Sequence, residues 1–241
     1  MTHGRPDWNL TNTNNIAYGS DDMGENAARL GSPSVHDRRG DVVWYDDCEG
    51  TVLRWPTILV GAGSAVAQTT ANQYRGDKAY RLTAGAVAGS SAQIYRRMPL
   101  PPTTRLGLES AHSYTINTLS YAMEMIFQTA TTTYTTGVKV LNNGTLQYWN
   151  AAGAWTTFAT RPWGGAFIQV WDILKFVIDT DTGEYVRCIY SDQEYDMSGL
   201  RYQTAAAAIR QYLIPRCTAY GQAAGASTVD VDNIILTQNE P

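Results

Sequence analysis

Val138-Lys139-Val140-Leu141-Asn142-Asn143-Gly144-Thr145-Leu146-Gln147-Tyr148-Trp149 decides the fold class. Two alternating segments flank Asn143-Gly144, and that dipeptide between such segments is the strongest short-range hairpin signal. The stretch therefore reads as a β-hairpin. A second turn, Ala151-Ala152-Gly153, leads into Trp155-Thr156-Thr157-Phe158. Further on, Ile173 to Asp179 and Glu184 to Tyr190 flank Thr180-Asp181-Thr182-Gly183, a second hairpin. Upstream, Tyr121, Met123, Met125 and Phe127 share one face of a strand, with Ala122 and Glu124 on the other. Val42-Val43-Trp44-Tyr45, Ala79 to Thr83 and Asp230 to Leu236 complete the readable strands. Short strands with regularly spaced turn signals predict an all-β, antiparallel two-sheet sandwich. Thr204-Ala205-Ala206-Ala207-Ala208-Ile209-Arg210 stands apart, as a short helix or a loop lining.

The N-terminal part reads differently. Asn9 to Asn15 is polar and aperiodic, and cannot bury enough surface to order itself. Asp22 as N-cap, Glu25 three residues later and Gly31 as the stop predict a short helix at about 22–31. Residues 1–44 are thus expected to form an arm and 45–241 a sandwich domain. Trp8, Ile16, Tyr18 and Leu30 are the arm's apolar anchors, expected to be covered by a neighbouring subunit or by the chain's own domain.

The chain has 241 residues, ordinary for one sandwich with an extension. Charged residues make up only 17%, and the aromatics are dominated by 15 Tyr and 7 Trp against 4 Phe. Aromatics with a polar end suit half-wet surfaces and interfaces. The net charge of −4 and the lack of a basic run argue against direct nucleic-acid binding. No apolar run is long enough for a helix to cross a bilayer, and from the polar start no secretory signal is expected. Cys48, Cys188 and Cys217 are sparse and odd in number, so they are expected as buried thiols, with one bridge as the alternative.

Residues 46–55, Asp-Asp-Cys-Glu-Gly-Thr-Val-Leu-Arg-Trp, resemble the opening strand of concanavalin-A-like jelly rolls, which include many carbohydrate-binding modules. Val138 to Trp155, Trp171 to Ile189 and Val231-Asp232-Asn233-Ile234-Ile235-Leu236 resemble later strands of that superfamily, in the same order. The resemblance implies a jelly roll. It also implies a structural calcium between the opening and closing strands, at Glu49 and Asp232; hydrogen-bonded or exposed carboxylates are the simpler alternative. The segment Asp22 to Asp46 is similar to N-terminal extensions of tailed-phage structural proteins. That likeness implies a capsid-decorating or other outer-particle component on the virion exterior, whose arm binds other copies and other virion proteins. The alternative function is a carbohydrate-binding or adhesion module recognising glycans.

Catalytic constellations are weak. Jelly-roll glycosidases place two carboxylates across a cleft, whereas Glu124 is a lone acid and Asp179 and Asp181 sit at a turn. All three are expected to face solvent. His3, His36 and His112 fall in the arm or after loop-like stretches, and a non-enzyme is expected. Among the tryptophans, Trp171 is expected in the core, while Trp163, in a Pro-Gly loop, is the candidate exposed ring for stacking on a sugar. Arg39-Gly40-Asp41 spells an integrin-recognition tripeptide, although local ion pairs of Arg38 and Arg39 with Asp37 and Asp41 are the simpler expectation.

Overall fold

A computed structural model describes residues 39–114, 119–161, 170–206, 211–222 and 225–241. These form two eight-stranded antiparallel sheets packed face to face. The first sheet comprises β1 (Asp41–Asp46), β3 (Ala65–Thr69), β4 (Ala79–Ala84), β6 (Arg105–Tyr114), β11 (Trp171–Asp179), β12 (Glu184–Tyr190), β13 (Gln193–Asp196) and β16 (Ser227–Gln238). Its order is β13-β12-β11-β6-β16-β4-β3, with β1 also on β16. The second comprises β2 (Thr57–Val60), β5 (Ser91–Tyr95), β7 (Ser120–Gln128), β8 (Thr132–Leu141), β9 (Thr145–Trp149), β10 (Trp155–Thr160), β14 (Gln203–Ala206) and β15 (Tyr212–Tyr220). Its order is β10-β9-β8-β7-β15-β5-β2, with β14 also on β8. This is the expected jelly-roll-like sandwich.

Both hairpins form where their turn residues stand, with Gly144 at φ 84° and Gly183 at φ 73°. The inward faces supply Leu106, Leu108, Leu174, Phe176 and Ile178 from the first sheet and Tyr121, Met123, Phe127, Val138 and Val140 from the second. Gln203–Ala206 is neither helix nor loop lining but a strand paired with Thr132 to Thr135 of β8. The first strand starts at Asp41, inside the segment read as arm, and pairs with the end of β16. Positions 1–38, which include Trp8, Ile16, Tyr18, Leu30 and the expected helix, lie outside the described residues, as does Trp163.

Several side chains depart from expectation. Trp171 is not in the core: it alternates with Asp172 and Leu174, which point inward, and its indole donates to Asn72 Oδ1 at 3.1 Å. Among the described residues the tryptophan in the core is Trp55, 2% exposed, which donates to Asp46 Oδ2 at 2.8 Å. His112 lies within β6, fully buried and stacked on Tyr121 at 4.6 Å between ring centres. All three cysteines are buried free thiols, so the bridge is not formed. Arg39 pairs with Glu194 across 155 positions of sequence, at 2.8 and 3.1 Å; Asp37 and Arg38, the other members of the expected local ion pairs, lie outside the described residues.

The outer face of the first sheet is sealed by the chain itself. Asn72 donates to Ser113 Oγ and Asp230 Oδ2, and Tyr74 packs on Trp171, so the segment before β4 lies across one end. At the other end Glu240 folds back between Lys175, at 2.7 Å, and Arg187.

Candidate functional site

The second sheet turns a different surface outward. In β7, Tyr121, Met123 and Phe127 enter the core, so Ala122, Glu124 and Ile126 point away from it. By the same alternation Lys139 and Gly137 of β8 and Arg216, Thr218 and Tyr220 of β15 share that outer face, since their register partners are Ala122, Glu124 and Ser120. Trp149 and Trp155 are register partners on β9 and β10. Their rings meet edge to face at 5.1 Å.

Glu124 is only 3% exposed on this outward face, which corrects the expectation of a solvent-facing acid. Arg216 grips it with two bonds of 2.6 and 2.9 Å, and Thr218 Oγ1 donates to it at 3.2 Å. A bidentate guanidinium–carboxylate pair is both strong and orienting. Burial and the Glu124 carboxylate pull the Arg216 guanidinium in opposite directions, and the net effect raises it further above its ordinary value. Beside the pair, the Lys139 ammonium lies 4.6 Å from the Trp155 ring centre and 5.9 Å from that of Tyr220. Burial pulls Lys139 below its ordinary value, a shift that Glu124 only partly offsets.

The floor between these groups is made of small residues. A Cβ on Gly137 would come within 2.8 Å of Glu124 Cγ, 2.9 Å of the Met123 carbonyl and 3.2 Å of Trp155. Glycine at 137 thus lets the carboxylate and the indole settle over the sheet. At the rim, the Trp149 indole donates to Gln203 Oε1 at 2.8 Å, fixing the ring through β14. The face combines half-buried aromatic rings, amides at Gln147 and Gln203, and two cations around one carboxylate. Such a surface can stack on apolar ring faces and hydrogen-bond hydroxyls. Glu124 is the one carboxylate in the strands of this sheet. The strands of this face therefore do not supply the carboxylate pair of glycoside hydrolysis.

Glu49 and Asp232, the expected calcium pair, approach the same loop but serve another purpose. Glu49 Oε1 accepts the backbone N–H groups of Asp77 and Lys78, at 2.8 and 2.9 Å. Asp232 Oδ2 accepts those of Tyr74 and Arg75, both at 3.1 Å, and its Oδ1 accepts that of Asn233 at 2.7 Å. The two carboxylates therefore pin the 74–78 segment. A small cavity beside them, about 160 Å³, is lined by Tyr45, Asp47, Glu49, Arg75, Gly76 and Asn233. Calcium needs six to eight oxygens. Here amide hydrogens already hold most of the carboxylate oxygens, a guanidinium borders the cavity, and no group of three His, Cys, Asp or Glu converges among the described residues. The donors do not fit calcium. Adding a chelator is expected to leave the melting temperature unchanged, and a fall of several degrees would contradict that.

Asp232 and His112 set opposing pH dependences. Burial pushes Asp232 up to about 6, although three backbone N–H groups pull it down. Its folded form holds the proton more tightly than the unfolded chain, at about 3.9, so stability falls as pH rises from about 4 to 6. Burial pushes His112 down to about 4, with the neighbouring Asp172 opposing. Its unfolded form takes the proton first, so this group makes stability rise with pH between about 4 and 6.5. Asp172 and Asp179 are lowered, so they act below this window. The native protein should be nearly flat there. In denaturant melts across pH 4–6.5, His112→Phe should lose stability with rising pH and Asp232→Asn should gain it. Parallel profiles for all three proteins would contradict this assignment.

No protein-family model and no curated protein matches the sequence. Solved structures match the fold. An endo-β-1,4-glucuronan lyase from the fungus Trichoderma reesei aligns with a TM-score of 0.57 at 11% identity, over 83% of this chain and 96% of its own. The cellulose-induced protein Cip1 aligns with a TM-score of 0.52 at 12% identity, over 81% and 97%. The carbohydrate recognition domain of Emp47p aligns with a TM-score of 0.51 at 11% identity, over 83% and 97%. The chain thus shares the two-sheet jelly-roll fold of these structures.

Proposed function

We propose that this chain is a glycan-binding jelly roll that holds a polysaccharide on the outer face of its second sheet. The observation that carries the reading is the Trp149–Trp155 pair, ordered and half-buried beside Lys139 and the Glu124–Arg216 pair. The faces of pyranose rings are apolar and their edges are hydroxyls, so a recessed surface of fixed rings and polar side chains matches both. The first sheet cannot offer an equivalent surface, because its own chain lies across it. A glucuronan lyase and a carbohydrate recognition domain among the fold neighbours agree with this reading.

Trp163, the ring expected to stack on sugar, lies outside the described residues, so the proposal rests on Trp149 and Trp155. The reading as a virion component with residues 1–44 as docking arm draws no support from the described residues or from the neighbours. Migration of the protein through native gels containing a panel of soluble polysaccharides tests the proposal. Retardation by at least one polymer, abolished by free oligosaccharide, is expected. Unaltered migration through every gel would overturn it.

A further inference from the structure

The charges on the proposed binding face do not balance. Its sheet carries Lys139 and Arg216 against a single carboxylate, Glu124. Arg216 takes both oxygens of that carboxylate, and Thr218 adds a third bond. No carboxylate lies within ion-pair distance of Lys139 among the described residues. The Lys139 ammonium instead sits against the ring of Trp155 at 4.6 Å and that of Tyr220 at 5.9 Å. Aromatic faces attract a cation, but they bring no negative charge. Half-burial of an ammonium without a counter-ion is costly, and burial pulls its proton affinity down. Beneath it lie Ala122, its register partner, and Gly137, two positions before it. Neither brings a charge to the ammonium. Glu124 and the two rings compensate that burial only in part, and a local rule broken in this way marks a functional position.

We infer that Lys139, seated between Trp155 and Tyr220, is the receptor for an anionic sugar group, so that the polysaccharide taken by this face is acidic. This deepens the glycan-binding reading and rests on it. The sugar ring would stack on the indole while its carboxylate or sulfate meets the ammonium. The anion would supply the charge that Glu124, committed to Arg216, does not.

Matched polymer pairs test this. Native gels containing polygalacturonate, polyglucuronate or alginate are compared with gels containing methyl-esterified polygalacturonate or neutral β-1,4-glucan. Dextran sulfate against dextran separates sulfate from carboxylate. The inference expects retardation by an acidic polymer at least tenfold stronger than by its neutral partner, falling as salt is raised. Lys139→Met should remove that preference, and Lys139→Arg should keep it. Should Lys139→Met fail to fold, Lys139→Gln takes its place. Equal binding of neutral and acidic partners, or an unchanged preference in a folded Lys139→Met or Lys139→Gln protein, would overturn the inference while leaving glycan binding intact. Binding to no polymer at all would overturn both.

Discussion

Replacing Glu240 with alanine should lower the stability of this protein by about 3–5 kcal/mol, the usual cost of removing one partner from a buried ion pair. Glu240 is fully buried and its carboxylate is shared, with Lys175 Nζ at 2.7 Å on one oxygen and Arg187 on the other. Thr237 Oγ1 also donates to it. Lys175 and Arg187 are themselves almost without exposure, at 1% and 6%. Glu109, 4.0 Å from Lys175, is too distant to replace a direct pair. Glu240→Gln should cost less, because its amide oxygen still accepts a bond from one cation. By contrast Arg39 and Glu194 are 40% and 48% exposed, so breaking their pair should cost no more than about 1 kcal/mol. Denaturant unfolding of the three variants checks the ranking. A loss below about 1 kcal/mol for Glu240→Ala would show that the seal over the first sheet does not depend on this carboxylate.

Trp155→Ala should weaken polysaccharide binding about thirtyfold, equivalent to the roughly 2 kcal/mol carried by an aromatic anchor at a binding surface. Trp155 does three things in this site: it offers its own face, it packs on Trp149 at 5.1 Å and it holds Lys139 at 4.6 Å. Its removal takes away a stacking surface and loosens both neighbours. The ring is not part of the core cluster, so the fold should survive the change. Titration by calorimetry with the polymer that retards the native protein gives the number. A change of less than twofold would remove Trp155 from the site.

The parts of this fold that were legible in the sequence are those whose chemistry is local. Asn143-Gly144 and Thr182-Gly183 mark their own turns, and the alternation in Tyr121 to Phe127 shows its own face. The central strand β6 was not legible, because Ser110 and His112 occupy inward positions and break the apolar alternation of Leu106 and Leu108. Strand β15 was hidden by Pro215, which normally argues against a central strand. Arg96 donates to the Pro215 carbonyl, so the missing N–H points to the same residue, just past the end of β5, and pairing resumes beyond it at the Met98–Leu213 bridge.

The candidate site was less legible still. Glu124 reads as a lone acid because its partner Arg216 is 92 residues away. Only the register of β7 with β15 brings them together. One local signal was available: Gly137 and Lys139 alternate with Val138 and Val140, which predicts a glycine and a cation on an outward face. The expectation for Trp171 failed because an apolar strand does not say which of its faces the first residue takes.

The central claim is that the outer face of the second sheet is where glycan binds. Titrating an isotope-labelled sample with the retarding polysaccharide, and following the amide and indole N–H signals by NMR, tests it most directly. The account predicts large shifts at Lys139, Trp149, Trp155, Arg216 and Tyr220, with the indole signals of Trp55 and Trp171 unmoved. Shifts confined to the first sheet, or to the cavity lined by Tyr45, Glu49 and Asn233, would contradict it.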